Sequence, residues 1–540
     1  MKKIILLLFI AVSVHAQVTQ SWVKRYNGSS SNSHDEPRKI LVNKTNGDVY
    51  VTGKSPNSNL GLDIITIKYN QAGVQQWLRS YKGISGSKPF DMVFDNLGGI
   101  IITGIGPGNN FDDDCVTLKY DYNGTLQWVK RYNGTGNGHD RCLAITADLQ
   151  GGVIVTGVSP GSFSGTNTYD DIITIKYDYY GNQEWVQRYN GPGNSLDGGN
   201  SVITDDNNDV YVTGYISSPN TGYDIVTIKY AMEGNIEWVK TIPSAGTGSG
   251  SKILYSRKYS EIYTIGQNGS TTDIFCYDYS GNLKWQSSDF GAITSMSGAV
   301  LDEKNSMIYL TGVTRQNQTN DYMIIGYNTY VNGGLSWFDI YDGYASGNDY
   351  PKAITVDGYG NIILTGASSR NGPFDLTSLD YTTVKYNLSG MRLWEKRYNN
   401  SGTGTHIPVS IATDNSGNIF VTGYSHNSSG NFDFATIKYT EDIVLGKDEI
   451  NVPSEFDLHQ NYPNPFNPST VIKFDIPTDE FVRIAVYDML GKEIAVPVNE
   501  FKHAGSYEVN IDGSALASGT YFYRINAGNF TEIKKMILIK

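Results

Sequence analysis

The chain alternates short runs of β-branched and aromatic residues with clusters of Gly, Asn, Ser and Asp, and beyond residue 16 no long stretch places apolar residues at the helical period. Runs such as Val49-Tyr50-Val51-Thr52 have the composition of strands, and the clusters between them have the composition of tight turns. The pattern predicts an all-β protein.

The runs recur as phrases. All eight Trp (Trp22, Trp77, Trp128, Trp185, Trp238, Trp285, Trp337 and Trp394) fall at one place in a repeat of 47 to 57 residues, and Trp22-Val23-Lys24-Arg25-Tyr26-Asn27-Gly28 returns verbatim from Trp128 to Gly134. Three more phrases keep register with the Trp. They are an apolar strand ending in Asp (Ile145 to Asp148), a strand closing in Thr-Gly (Gly53, Gly104, Gly157), and Asp-Ile-Ile-Thr-Ile-Lys-Tyr (Asp171 to Tyr177). Each unit thus offers four strands, joined by Asp-x-x-Gly and Tyr-x-x-x-Gly turns in which Asp caps and Gly takes a positive φ. A four-stranded meander repeated radially is a propeller blade. The Trp22 strand precedes the first complete set and no Trp strand follows Tyr439, so the N-terminal strand is expected to complete the last of eight blades over residues 17–440. The Trp are expected to pack blade against blade. Units five and six depart most from the phrases, with Phe275-Cys276-Tyr277 and Met323 to Tyr327, and are the expected place of local weakness.

Beyond the repeats, residues 1–16 read as a secretory signal peptide: Lys2-Lys3, an apolar run from Ile4 to Val14, and a small residue at Ala16 before the cut. Eleven apolar residues are too few to span a bilayer as a helix, and no transmembrane segment is expected elsewhere. The net charge of −12 argues against nucleic acid as a partner. Cys115, Cys142 and Cys276 lack metal spacing and read as small buried hydrophobes, a Cys115–Cys142 bridge between neighbouring units being the alternative.

Candidate chemistry is sparse. His34, Asp35, His139, Asp140, Asp197, Asp349 and His406 fall at matching places ahead of the first strand of their units, on the face of the longer loops, which with the central channel is the default binding site. Such a set can line a channel and hold a cation or a sugar; it can equally cap turns in a duplicated unit. The Asp opening each third strand, Asp321 among them, reads as structural. No catalytic residue, metal site or cofactor is expected, since nucleophile elbow, phosphate loop and zinc motifs are absent from the sequence.

The repeat phrases resemble the bacterial β-propeller repeat called SBBP, over most of Gln17 to Thr440. That name implies seven blades where the phrase count gives eight, and the resemblance carries no catalytic residues over. After a linker at 441–455, the segment 456–540 is a small domain of alternating strands, expected to be an Ig-like β-sandwich. Its Tyr462-Pro463-Asn464-Pro465-Phe466-Asn467-Pro468, Val486 to Lys492, Ser518-Gly519-Thr520-Tyr521 and basic apolar ending Lys534 to Lys540 closely resemble the type A sorting domain of type IX secretion in Bacteroidota. The resemblance implies the secretion machinery as a partner and a secreted or outer-membrane surface location. The expected function is a binding or adhesion propeller for a glycan or protein ligand. The alternative is a polysaccharide hydrolase or lyase using the Asp and His of the long-loop face.

Overall fold

A computed structural model describes residues 17–28, 34–58, 61–82, 86–95, 97–108, 112–136, 138–161, 169–244, 246–289, 291–316, 318–343, 346–372, 377–400, 404–442, 453–478, 480–502 and 505–540. The proposed signal peptide and most of the proposed linker lie outside these. Among the described residues there is no α-helix, and they fall into two compact units, 17–442 and 453–540.

In the larger unit the strands form six four-stranded sheets and one eight-stranded sheet, the latter being two meanders joined by the parallel pairs Gly222↔Gly246 and Tyr223↔Thr247. We number the meanders along the chain: unit 1 (36–81), unit 2 (88–132), unit 3 (141–189), unit 4 (198–242), unit 5 (246–288), unit 6 (295–341), unit 7 (349–398) and unit 8 (406–442 with 17–26). The fourth strand of unit 8 is the N-terminal one. Gln17–Tyr26 runs antiparallel to Phe432–Asp442, from Gln17↔Asp442 to Tyr26↔Phe434. The first strands touch in a closed circuit, each against the first strand of the next unit and that of unit 8 against that of unit 1. Closure pairs the third strand of unit 8, whose edge would otherwise be exposed, and ties the two ends of the array together.

The Thr-Gly phrase explains how the first strand is shaped. In all eight units the first strand carries a β-bulge opposite the glycine of this phrase, as between Pro37 and Lys39 or Cys142 and Ala144; the dipeptide is Thr-Gly in seven units and Ile265-Gly266 in unit 5. The bulge drives a backbone carbonyl against the glycine. A Cβ on Gly104 would meet the Lys88 carbonyl, and one on Gly157 or Gly214 the carbonyl of Arg141 or Gly198, all at 2.0 Å or less. Only glycine fits. The preceding Thr is wholly buried and ties the second strand to the third, as where Thr156 Oγ1 donates to the Ile173 carbonyl at 2.8 Å.

Adjacent units are joined by the Trp and by a buried lysine. Each indole of units 1 to 6 and 8 packs on the positive-φ glycine in the last turn of the following unit. A Cβ on Gly73, Gly124 or Gly181 would come within 2.9 Å of Trp22, Trp77 or Trp128. The indole N–H donates to the same turn: Trp22 to the Gln71 carbonyl, Trp77 to Tyr122, Trp128 to Tyr179. Trp77 and Trp285 are buried and the other six half-buried. At the seam, where unit 8 has no such turn, Trp394 donates to the Glu441 carboxylate at 2.7 Å.

The lysine of the Lys-Tyr phrase is the second connection. Lys68, Lys119, Lys176, Lys229 and Lys385 are buried in their own units against Asp48, Asp95, Asp148, Asp209 and Asp357 at 2.9 to 3.4 Å. Lys68, Lys119 and Lys229 also lie 3.1 to 3.4 Å above the rings of Tyr122, Tyr179 and Tyr279 in the next unit. Burial of this kind holds only with a partner, because an unpaired ammonium in the interior costs several kcal/mol.

One expectation is corrected. Cys115 and Cys142 are bonded, their Cα atoms 5.2 Å apart, and link the third strand of unit 2 to the first strand of unit 3; Cys276 alone is a free buried thiol.

The smaller unit has a three-stranded sheet (457–458, 469–476, 505–512) and a four-stranded sheet in the order 493–502, 480–487, 519–527, 530–538. Ile472 and Phe474 from the first sheet and Ile484, Tyr523, Ile525 and Met536 from the second share one core. The proline-rich segment is pinned to it. Phe466 is buried there, the Tyr523 hydroxyl donates to the His459 carbonyl, and Asn461 N–H donates back to that hydroxyl, both at 2.8 Å.

Candidate functional site: the central channel

The bulges do more than fit the glycines. An extra residue in a strand re-aims its side chain, and the eight bulge residues are Arg38, Phe90, Leu143, Asn200, Ser251, Ser297, Lys352 and Val409. All eight line a single cavity of about 830 Å³ among the first strands. The residues that follow them (Lys39, Asp91, Ala144, Ser201, Lys252, Gly298, Ala353 and Ser410) line it too. The glycine of the Thr-Gly phrase thus recurs in every unit while the residue it presents to the channel differs nearly every time. A rigid frame carries a variable lining.

The lining is cationic in an acidic protein. Arg38, Lys39, Lys54, Lys88, Lys252 and Lys352 face two carboxylates, Glu36 and Asp91. Those two are taken: Lys39 pairs with Asp91 at 2.8 Å and Lys54 with Glu36 at 2.9 Å. Among the described residues no carboxylate pairs with Lys88, Lys252 or Lys352. Lys252 projects from unit 5, on the opposite side of the circuit from unit 1. Burial, reinforced by the Lys39 ammonium and opposed by Asp91, holds its pKa below the usual lysine range. Phe90, Met296, Ile354 and Ile411 supply apolar surface beside these charges.

The Asp and His singled out in the sequence sit elsewhere in the units. Asp35, Asp140, Asp197 and Asp349 are wholly buried, and each accepts the backbone N–H of the glycine that opens its own loop: Gly28 at 2.7 Å, Gly134 at 2.8 Å, Gly191 and Gly343 at 2.5 Å. Burial is the main reason that the carboxyls of Asp197 and Asp349 are pushed up to about 6. His34 Nδ1 accepts from Phe432 N–H at 3.2 Å and His139 Nδ1 from Asp113 N–H at 3.1 Å, each tying its loop to the third strand of the preceding unit. His406 is buried, its Nδ1 2.7 Å from Ser425 Oγ. None of the seven lines the channel cavity.

The residues that do line it lacked a signal in the sequence, because a bulge breaks the alternation by which inward and outward positions are told apart. The recurrence of Thr-Gly in seven units and of Ile265-Gly266 in unit 5, whose glycines mark where the bulges press, was the usable clue.

Comparison with known proteins agrees with the two-part organisation. Residues 460–540 match the family described as Secretion system C-terminal sorting domain, and residues 394–431 match the family described as Beta-propeller repeat. The sorting domain assigns the chain to type IX export, to the cell surface or the extracellular space, with that machinery as its partner. No helix among the described residues is long and apolar enough to cross a membrane. A curated relative, an uncharacterized WD repeat-containing protein of Acanthamoeba polyphaga mimivirus, is 24% identical over an alignment 455 residues long that covers 68% of this chain and 30% of that protein. The chain therefore spans under a third of that relative's length. Among solved structures, a putative 6-phosphogluconolactonase from Bacteroides uniformis aligns over 68% of this chain and all of its own, with a TM-score of 0.40 at 12% identity. Porphyromonas gingivalis dipeptidyl peptidase 4 aligns over 82% of this chain and 66% of its own, with a TM-score of 0.39 at 11% identity. Likeness at that level carries no argument about function.

Proposed function

We propose that this chain is an exported eight-bladed β-propeller, followed by an Ig-like sorting sandwich, that binds an anionic ligand in its central channel and has no catalytic role there. The observation that carries the reading is the channel lining: bulge positions that differ from unit to unit, with Lys88, Lys252 and Lys352 paired with no carboxylate among the described residues. Unpaired ammonium groups in a confined site favour a carboxylate or sulfate, and aromatic and apolar side chains beside them suit a sugar ring or peptide face. An acidic polysaccharide or acidic peptide segment fits both. The hydrolase or lyase reading is weaker, because a general acid or base must reach substrate, whereas Asp35 and Asp140 are buried on backbone N–H groups and His34 and His139 accept backbone N–H groups of the preceding unit's third strand.

The test is a binding screen of the full mature protein against oligogalacturonate, a sulfated glycan, an acidic peptide and their neutral counterparts. Acidic ligands are expected to bind in a salt-dependent way, and Lys252→Glu to weaken them at least tenfold. Equal binding of neutral and acidic ligands, or unchanged binding by Lys252→Glu, would sink the reading.

A further inference from the structure

Unit 6 breaks a rule that the other units keep. In units 2, 3, 6 and 8 the Asp that opens the third strand faces the buried Asp ahead of the next first strand. The four pairs are Asp114 with Asp140, Asp171 with Asp197, Asp321 with Asp349, and Asp433 with Asp35; in each, one carboxylate raises the pKa of the other. Three of these pairs have a guanidinium three residues after the Trp. Arg188 reaches Asp171 at 2.9 Å, Arg25 reaches Asp433 at 2.9 Å, and the charge of Arg131 acts on Asp114. Where the second Asp is replaced, by Ser87, Gly248 or Thr294, the fourth-strand residue is uncharged: Ser80, Thr241 or Ser288. Unit 7, whose counterpart is His406, keeps Arg397.

Unit 6 has both carboxylates and no arginine. Ile340 stands three residues after Trp337, and two residues further the chain places a third carboxylate, Asp342. Oxygens of Asp321, Asp342 and Asp349 lie within 4.8 Å of one another, two of the residues buried and Asp342 exposed. Asp321 is 2% exposed and its Oδ1 accepts no hydrogen bond. Asp349 keeps Oδ2 on Gly343 N–H. Arg397 of unit 7 also acts on Asp349, but it pairs with Glu395 and Asp380 and donates to Ser368. Burial first, and then Asp342 and Asp349, push the Asp321 carboxyl up to about 6.

We propose that Asp321, Asp342 and Asp349 bind a divalent cation of the calcium class, which takes the place that arginine fills in units 2, 3 and 8. The donor set is all oxygen, as a hard cation prefers, and the exposed side at Asp342 leaves room for water to complete the six to eight ligands that calcium takes. A divalent ion balances two of the three negative charges, where a guanidinium balances one. The extra Asp342 and the lost Arg are thus one exchange.

The experiment uses the full mature protein, stripped with EDTA and titrated with Ca²⁺ by calorimetry, with the thermal midpoint read in parallel. One saturable equivalent of Ca²⁺ and a raised midpoint are expected. Asp342→Asn, at an exposed position that leaves folding intact, should weaken binding at least tenfold. Ile340→Arg restores the side chain of the sister units, and should abolish the calcium response while the EDTA-treated protein melts no lower than wild type. Absence of a saturable Ca²⁺ equivalent in wild type overturns the proposal, as does wild-type Ca²⁺ binding by both variants.

Discussion

Units 2 and 3 keep the repeat phrases, and units 5 and 6 lose them, yet all four build the same meander with the same bulge. The regular pair is joined by polar devices: Lys119 and Lys176 buried on Asp95 and Asp148, the Lys119 ammonium over the Tyr179 ring, and the Cys115–Cys142 bond. The divergent pair has Cys276 and Gly326 where those lysines stand. There Lys284 from the fourth strand pairs with Glu261, and in unit 6 the absence of a side chain at Gly326 leaves space for Tyr309 and Met307. Apolar residues of both units, among them Ile274, Leu310, Met323 and Ile325, form one continuous core. The difference teaches that the blade geometry is set by the Thr-Gly bulge and the Trp, while the filling between blades is free to be ionic or apolar. Departure from the phrases in units 5 and 6 is therefore a change of filling, and the weakness expected there does not follow from it.

The sharpest way to break the comparison is to leave one ion of the regular pair alone. Lys119→Ala strands Asp95, whose side chain is 2% exposed, and removal of one member of a buried pair costs about 3–5 kcal/mol. Denaturation followed by hydrogen exchange should show the loss localised to units 2 and 3 with units 5 and 6 unaffected. Equal loss of protection around the whole circuit would mean that the units do not differ in how they are held. Cys142→Ser comes next. The bond closes a 27-residue separation, and chain entropy for a loop of that size is worth about 3.5 kcal/mol. Reductant should lower the midpoint of wild type and leave that of the variant unchanged. In units 5 and 6, Cys276 should stay unlabelled by thiol reagents in the native state, because burial and then Glu261 push its thiol up.

A smaller effect tests the device that the two regions share. Gly181 and Gly333 both take positive φ, +81° and +71°, and a Cβ on either would press into Trp128 or Trp285. Each change to Ala should cost about 1–3 kcal/mol from the backbone alone, with the indole contact adding to it. Comparable losses at the two sites, read by the same denaturation, fit a common frame. A tolerated Gly333→Ala would mean that unit 6 has given up the Trp contact as well as the lysine.

These devices differ in how far the sequence betrayed them. The Trp and Thr-Gly phrases stood out because packing against a neighbouring backbone admits no substitute, so duplication preserved them, and the four-strand unit could be read off them. The buried lysines were just as regular, but a Lys in an exported acidic protein reads as a solvated side chain until its Asp and Tyr partners, as distant in sequence as Asp148 from Lys176 and Tyr179 from Lys119, are brought beside it. The Asp and His ahead of the first strands were legible as repeats; the Asp hold the backbone of their own loops, and His34 and His139 tie those loops to the preceding unit. The channel residues were hidden for the opposite reason: they differ in nearly every unit, and it is a bulge, not alternation, that turns them inward. The loss of arginine at Ile340 was visible in the aligned phrases, but its meaning depends on Asp321, Asp342 and Asp349 meeting in space.

The smallest expected change is the one that converts the regular filling into a neutral one. Asp95 has two tasks: Oδ1 accepts the N–H groups of Leu97 and Gly99 in the turn, at 2.9 and 2.7 Å, and Oδ2 holds Lys119 at 3.0 Å. Asn at this position keeps an oxygen for the turn, and Met in place of Lys119 keeps most of the volume without the charge. A well-packed neutral replacement of a buried ion pair is often neutral or stabilising, because neither ion then has to be desolvated. The double variant Lys119→Met with Asp95→Asn should thus recover most of what Lys119→Ala loses and fall within about 1 kcal/mol of wild type. Its hydrogen-exchange protection should extend across units 2 and 3. A double variant as unstable as Lys119→Ala would show that the ion pair, with its contact to Tyr179, holds these blades in a way that apolar packing cannot replace, and the likeness between the two regions would end at the frame.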